Sequence, residues 1–231
     1  MSATSREPVW TRPDRRSRGP VPQHSRAEIV AAATVLADQG GLAAVSMRAV
    51  AAALDTGAGS LYRYLSSRDD LLDLMVDAAL GELPPGAPAA GDWLDGLVGV
   101  ARDQLALYRR HPWLSEAARR VGAFGPNTVA HFERCLAIMA PLPEAASVKM
   151  EAVAVLTGLV SLFATPTPMN PPADDPQAVQ RQQAVAAQLF AMVDPVAHPH
   201  LTAAFTDPAP PPEAPDLFER TVRGVLRGLL N

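Results

Sequence analysis

Apolar positions in this chain recur at helical spacing and almost never alternate. Ile29, Ala33 and Leu36 share one face of a helix that opens at Ser25 and ends at Gly40-Gly41. Ser25-Arg26-Ala27-Glu28 is a capping-box pattern, in which serine and glutamate satisfy free amide groups at a helix start. Ser46 caps a second helix, with Met47, Val50, Ala51 and Leu54 on its buried side. After a break at Leu54-Asp55-Thr56-Gly57, a third short helix fits Ala58 to Tyr64. Ser67 then caps a fourth, whose Leu71, Leu72, Met75, Val76 and Ala79 run to about Gly81. The stretch from Pro84 to Pro88 ends this unit, 25–82, as a linker.

Residues 91–231 predict a second unit of helices punctuated by proline. Asp92 caps a helix from Trp93 to about Arg110, and a short one follows Pro112, to about Val121. Asn127 caps another through Met139, and Pro143 stands at the first turn of a long helix to Ala164, where proline is tolerated. Pro166–Pro176 reads as a mobile linker or flap, ahead of a helix from Gln177 to Met192. Pro208 to Pro215 reads as a further linker, and Asp216 caps a last helix to Leu230. Residues 1–24, with four prolines and five arginines, predict a disordered basic arm.

Composition narrows the class. Hydrophobic residues make up 48% of the 231, mostly alanine and leucine, and aromatics only 5%. That mixture favours helix over sheet, so the expected fold is all-α. A single cysteine, Cys135, excludes a disulfide framework and points to a reducing compartment; as a lone thiol it reads as buried and structural. No signal peptide is visible, and the longest apolar run, Ala152–Ala164, is too short to span a membrane. The expectation is a soluble, cytoplasmic protein. There is no Gly-rich phosphate loop, no GxSxG and no HExxH, so neither an enzyme nor a cofactor is expected. Without HxxxH or CxxC spacing, His111 and His131 do not suggest a metal site. The net charge is −4, unevenly spread. Residues 1–70 hold nine basic against seven acidic side chains, and the excess lies in the first 24. Such asymmetry points to a polyanion at the basic end or to a solvated tail.

The second and third helices, joined by a three- to four-residue turn, have helix-turn-helix spacing. Ser46-Met47-Arg48-Ala49-Val50-Ala51, Gly59-Ser60-Leu61-Tyr62-Arg63-Tyr64 and Arg68-Asp69-Asp70-Leu71-Leu72 occur in an order that resembles the DNA-binding domain of the tetracycline-repressor (TetR) family over residues 25–80. The resemblance implies an operator-binding repressor. It implies phosphate contacts from Tyr62, Tyr64 and Arg68, a backbone contact near Arg48, and groove-facing positions at Thr56, Ala58, Gly59 and Ser60. Arg63 is the one long side chain able to read guanine on the recognition helix, with a phosphate contact or a solvated position as its other readings. Gly59 is read either as a site of close approach to DNA or as a packing glycine. Asp55 replaces the usual turn glycine, and aspartate tolerates left-handed geometry. Residues 25–70 are not themselves basic, so affinity is expected to lean on Arg12, Arg15, Arg16 and Arg18 in a minor groove.

His111-Pro112-Trp113, Gly125-Pro126-Asn127 and His198-Pro199-His200-Leu201 are similar to the family's ligand-binding domains. The resemblance implies a homodimer joined by the helices at 143–164 and 216–230, and a small-molecule inducer. Apolar pocket candidates are Trp93, Leu97, Val100, Trp113, Phe124, Phe132, Met139, Met150, Val153 and Phe163; polar ones are Gln104, Tyr108, His111, Asn127, His131 and Thr157. The competing readings are an activator of the same fold and a helical interaction module without DNA binding.

Overall fold

The computed structural model describes residues 9–10, 24–85, 91–120, 124–165, 176–206 and 214–230. Among these are eleven α-helices, one 3-10 turn and no strand. Helices α1 (Arg26–Ala44), α2 (Met47–Ala53), α3 (Ala58–Leu61) and α4 (Arg68–Leu80) build the N-terminal unit. The rest is α5 (Trp93–Arg110), α6 (Leu114–Ala117), α7 (Pro126–Ile138), α8 (Ala146–Ala164), α9 (Pro176–Ala191), α10 (Pro199–Thr206) and α11 (Ala214–Leu229).

Four helix starts follow directly from local sequence. Ser25 and Glu28 form the reciprocal capping box on α1, with Glu28 N donating to Ser25 Oγ at 3.2 Å and Ser25 N to Glu28 Oε2 at 2.6 Å. Donation to the Glu28 carboxyl from Ser25 N, and from Ser25 Oγ at 3.0 Å, holds it below its ordinary pKa. Ser46, Ser67 and Asp92 cap α2, α4 and α5 by accepting from the amides of Ala49, Asp70 and Leu94. Helical hydrogen bonding in α1 runs to Ala44, but its geometry breaks at Gly40 and at Gly41, where φ is +66°.

Other boundaries differ from expectation. Helix α3 ends at Leu61, and Tyr62–Tyr64 form a tight turn in which Tyr64 N donates to Leu61 O. Of the short helix expected after Pro112, the described residues form one turn of α6 followed by a 3-10 turn at Ala118–Arg120; Val121 lies outside the described residues. Gly125, not Asn127, precedes α7, and Pro126 takes the first helical position. Pro143 lies before α8, which starts only at Ala146 after a turn closed by Leu142 N on Met139 O. The eight-residue α10 was not foreseen, and Asp216 lies inside α11. The expected disorder of 1–24 and the flap at 166–176 lie largely outside the described residues, but Val9 is fully buried and Trp10 packs on the core.

One core runs through both units. Ile29, Ala33, Val50, Leu61, Leu71 and Met75 fill the space between α1 and α4. Leu97, Ala101, Leu107, Met139, Leu156, Val222 and Leu226 fill the space between α5, α7, α8 and α11. Each such leucine removed from water stabilises the fold by about 1.5–3 kcal/mol. Helix α4 packs on both sides, against α1 and against α6 and α7. Arg223 to Asp95 (2.6 Å) and Arg102 to Glu219 pin α11 to α5.

Two surfaces stay apolar. Helix α8 is long and apolar enough to cross a membrane by length and composition alone. However, it buries Ala152, Val153, Leu156 and Val160 on its neighbours and exposes Val155 and Leu162 on the opposite side. Helices α9 and α10 bury only Ala178 between them. Their Phe190 and Phe205 meet edge to face at 5.6 Å, and Leu189, Met192, Val196 and Leu201 are exposed.

Candidate nucleic-acid interface

The turn between α2 and α3 keeps its shape without glycine. Asp55 adopts φ +50°, the only positive φ at a non-glycine position among the described residues. Thr56 N returns to Ala51 O at 2.9 Å and closes the turn. A short polar chain then runs along α3. Ser60 Oγ donates to Gly57 O at 2.7 Å, which commits its only proton. In the 2.8 Å contact between Thr56 Oγ1 and Ser60 Oγ, threonine is therefore the donor. Both hydroxyls are preset, and their remaining lone pairs can accept.

Gly59 lies on the exposed side of α3, and a Cβ added there would meet no atom within 4 Å among the described residues. Packing against those residues therefore does not explain this glycine. Arg48, Tyr62 and Arg63 are exposed, Tyr62 to 55%. Thr56 and Ser60 are half-buried, and Ala58 and Tyr64 are half-buried against the core. Arg68 has a task that sequence did not reveal. Its Nε donates to Val45 O at 2.8 Å and its Nη2 to Leu42 O at 2.7 Å. It clamps the loose carbonyl end of α1 to the start of α4, where the guanidinium fork can reach two acceptors at once.

Two polar joints tie this unit to the second one. At the first, Asp38 of α1 accepts from the Trp113 indole N–H at 2.7 Å and lies 2.7 Å from His111 Nδ1. The other ring nitrogen of His111 faces Glu82 at 3.3 Å, and Arg110 donates to Glu82 at 2.7 Å. At the second, Asp77 of α4 supplies the cap that Gly125 cannot give to α7. Its Oδ1 accepts from Thr128 N and Thr128 Oγ1, both at 2.9 Å, and its Oδ2 from Asn127 N at 3.3 Å. The Asn127 side chain donates to Asp77 O at 3.0 Å.

Among the expected pocket residues, His111 and Trp113 bridge the two units: Trp113 Nε1 and His111 Nδ1 face Asp38, and His111 Nε2 faces Glu82. Phe124 and Met150 are exposed, at 65% and 38%, and Phe124 meets Phe132 edge to face at 5.4 Å. Leu97, Val100, Gln104 and Tyr108 form one buried stripe of α5, with Met139 and Val153 also buried. Trp93, Phe132, Thr157 and Phe163 are half-buried. Thr157 donates to the Val153 carbonyl of its own helix. Burial raises the Tyr108 phenol pKa, against a hydrogen bond from Gln104 that lowers it. Gln104 Oε1 and His131 Nδ1 are buried with no hydrogen-bond partner among the described residues. Burial lowers the His131 pKa, with Arg134 adding to the effect. A cavity of about 270 Å³ lies between the end of α4 and α7, lined by Leu80, Leu83, Asn127, His131 and Arg134 among others.

Known proteins match both units. Residues 29–75 match the tetR family of bacterial regulatory proteins, and residues 84–231 match the tetracyclin repressor-like C-terminal domain. The HTH-type transcriptional repressor DrrR1 of Streptomyces coeruleorubidus is 38% identical over 161 residues, covering 68% of this chain and 59% of that protein. An HTH-type transcriptional regulator of Saccharopolyspora erythraea is 35% identical over 132 residues, 57% of this chain and 56% of its own. The matched stretches thus span under two thirds of these relatives. Among solved structures, the Streptomyces coelicolor TetR family protein ActR in complex with (S)-DNPA superposes with a TM-score of 0.72 at 25% identity, covering 90% of this chain and 98% of its own. The same protein in complex with actinorhodin gives 0.72 at 26%, over 89% and 95%. With one unit matched at each end and the C-terminal match alone taking more than half the residues, the chain belongs to the tetR family of bacterial regulatory proteins.

Proposed function

We propose that the protein is a cytoplasmic, dimeric transcriptional repressor that binds an operator through α2 and α3 and leaves it when a small ligand enters the second unit. The observation that carries this is the open edge of α3. Preset hydroxyls on Thr56 and Ser60 flank a glycine with free space above it, and Arg63 stands one turn on. A short helix with an unobstructed backbone suits a major groove, where side chains at its start meet base edges. The relatives' names and the family match support the same reading.

Dimerisation is supported by matched stripes on two adjacent helices. On α8, Ala154, Val155, Gly158 and Leu162 are exposed at helical spacing; on α11, Leu217, Gly224 and Gly228 are. Among the described residues, Cβ atoms at Gly158, Gly224 and Gly228 would meet nothing within 4 Å, so a second helix can approach closely. A ligand is supported by two buried polar atoms with no hydrogen-bond partner among the described residues, Gln104 Oε1 and His131 Nδ1, set among apolar residues of α5, α7 and α8. An apolar or amphipathic molecule with a hydrogen-bond donor fits that setting. Bound ligands in the ActR structures support it by likeness.

Selection of genomic fragments bound by the purified protein tests the reading. It should return a palindrome with half-sites about 34–36 Å apart or a multiple of that. A stable monomer in sedimentation, or fragments with no shared sequence, would refute it.

A further inference from the structure

We propose that Trp10, seated by Val9, is a positioning residue that seals the joint between α4 and α7, and so governs how movement of α7 reaches the helix-turn-helix. Val9 is fully buried, in a segment whose composition predicts no structure. Trp10 packs on the core beside it. A Cβ placed on Gly125 would lie 2.5 Å from Trp10 Cζ2, 2.3 Å from Asp77 Cγ and 2.4 Å from Asp77 Oδ1. The indole, the carboxylate and the backbone before α7 therefore meet at one point, and only glycine leaves room for them.

Asp77 is only 4% exposed, yet it holds the amides of Asn127 and Thr128 and the Thr128 hydroxyl. Hydrogen bonds to a carboxylate are strongest where water is kept away. Trp10 is the apolar cover on that spot. Without it, water competes for Asp77, the borrowed cap on α7 weakens, and α4 is less firmly held to α7. Helix α4 begins at Arg68, clamped to α1 beside the helix-turn-helix, and ends at this joint. A tight joint transmits a shift of α7; a loose one absorbs it. Coupling of this kind is reciprocal, so DNA bound at α3 must alter the joint as well. This second part rests on the DNA-binding reading above.

Hydrogen exchange on the full-length chain, on Trp10→Ala and on Trp10→Phe tests both parts. In the free protein, Trp10→Ala should speed exchange at residues 127–129 by about tenfold. Amides of α2 should be unchanged, and Trp10→Phe should stay near wild type. With a selected operator duplex, wild type should gain protection at 127–129, whereas Trp10→Ala should bind the duplex, read as slowed exchange at 58–65, without that gain. Unchanged exchange at 127–129 in free Trp10→Ala overturns the seal. An equal gain in both proteins overturns the coupling. Failure of any duplex to bind refutes the DNA reading, while the free-protein comparison still decides the seal. Should Trp10→Ala not fold, Val9→Ala loosens the seat with the indole kept, and the same comparison applies.

Discussion

Gly59→Ala separates stability from recognition at a single atom. The backbone at Gly59 is helical and not left-handed, and the new methyl would meet nothing within 4 Å among the described residues. Alanine in a helix is favoured over glycine by up to about 1 kcal/mol, mostly through a less flexible unfolded chain. In a helix of only four residues roughly half to all of that is expected, which corresponds to a rise in Tm of about 1–4 °C for a chain of this length. DNA binding should change in the opposite sense. If the backbone of α3 comes within contact distance of the groove, the methyl occupies space that DNA needs. Forcing extra atoms into a tight contact costs roughly 1–3 kcal/mol, or about 5- to 150-fold in Kd. Thermal unfolding and operator titration on the same preparation read both effects. A lower Tm would refute the open space. Wild-type affinity would refute the close approach and place the closest contact elsewhere on α3.

Three other outcomes follow from the geometry. Arg68→Ala should cost about 2 kcal/mol of stability, because two charged hydrogen bonds to Val45 and Leu42 are lost; an unchanged denaturation midpoint would show that the clamp is not needed. Cys135, whose thiol burial pushes up to about 11, should resist a disulfide reagent at neutral pH until the protein unfolds; fast labelling of native protein would contradict its burial. Burial lowers the His131 pKa below 6.5, so the unfolded chain takes up a proton there before the native one. Stability from this group is complete above its unfolded pKa and falls as pH drops below it, and His131→Phe should flatten that acid limb of a pH–stability curve.

Sequence reading succeeded where the cause of a structure is local. Ser25, Ser46, Ser67 and Asp92 were legible as caps because each bonds an amide two or three residues away. Asn127 misled because the cap on α7 arrives from Asp77, fifty residues upstream, and no local pattern records it. The same distance hid Arg68's bonds to α1 and the turning of His111 and Trp113 to Asp38. Val9-Trp10 was missed for a related reason: two apolar residues have no periodicity, so an arm rich in proline and arginine looked unstructured throughout. The tolerance of Asp55 for the left-handed turn was legible, because it depends on the residue's own chemistry. Whether Gly59 packs or stands open was not legible, since that depends on neighbours.

Asp38 with His111 and Trp113, and Asp77 with the start of α7, hold the N-terminal unit at two separate places. Two fixed points leave a rigid body one easy motion, a rotation about the line between them. Helix α4 is then a lever. From Asp77 back to Arg68 it measures about 14 Å at 1.5 Å per residue. A turn of about 10° about that axis swings the far end of such a lever by up to roughly 2 Å. In a dimer the two levers are related by symmetry, so the swings add in the separation of the two recognition helices. The DNA cannot follow such a change without bending or losing one half-site, so a displacement smaller than a hydrogen bond at α7 is geared up to one that an operator can sense.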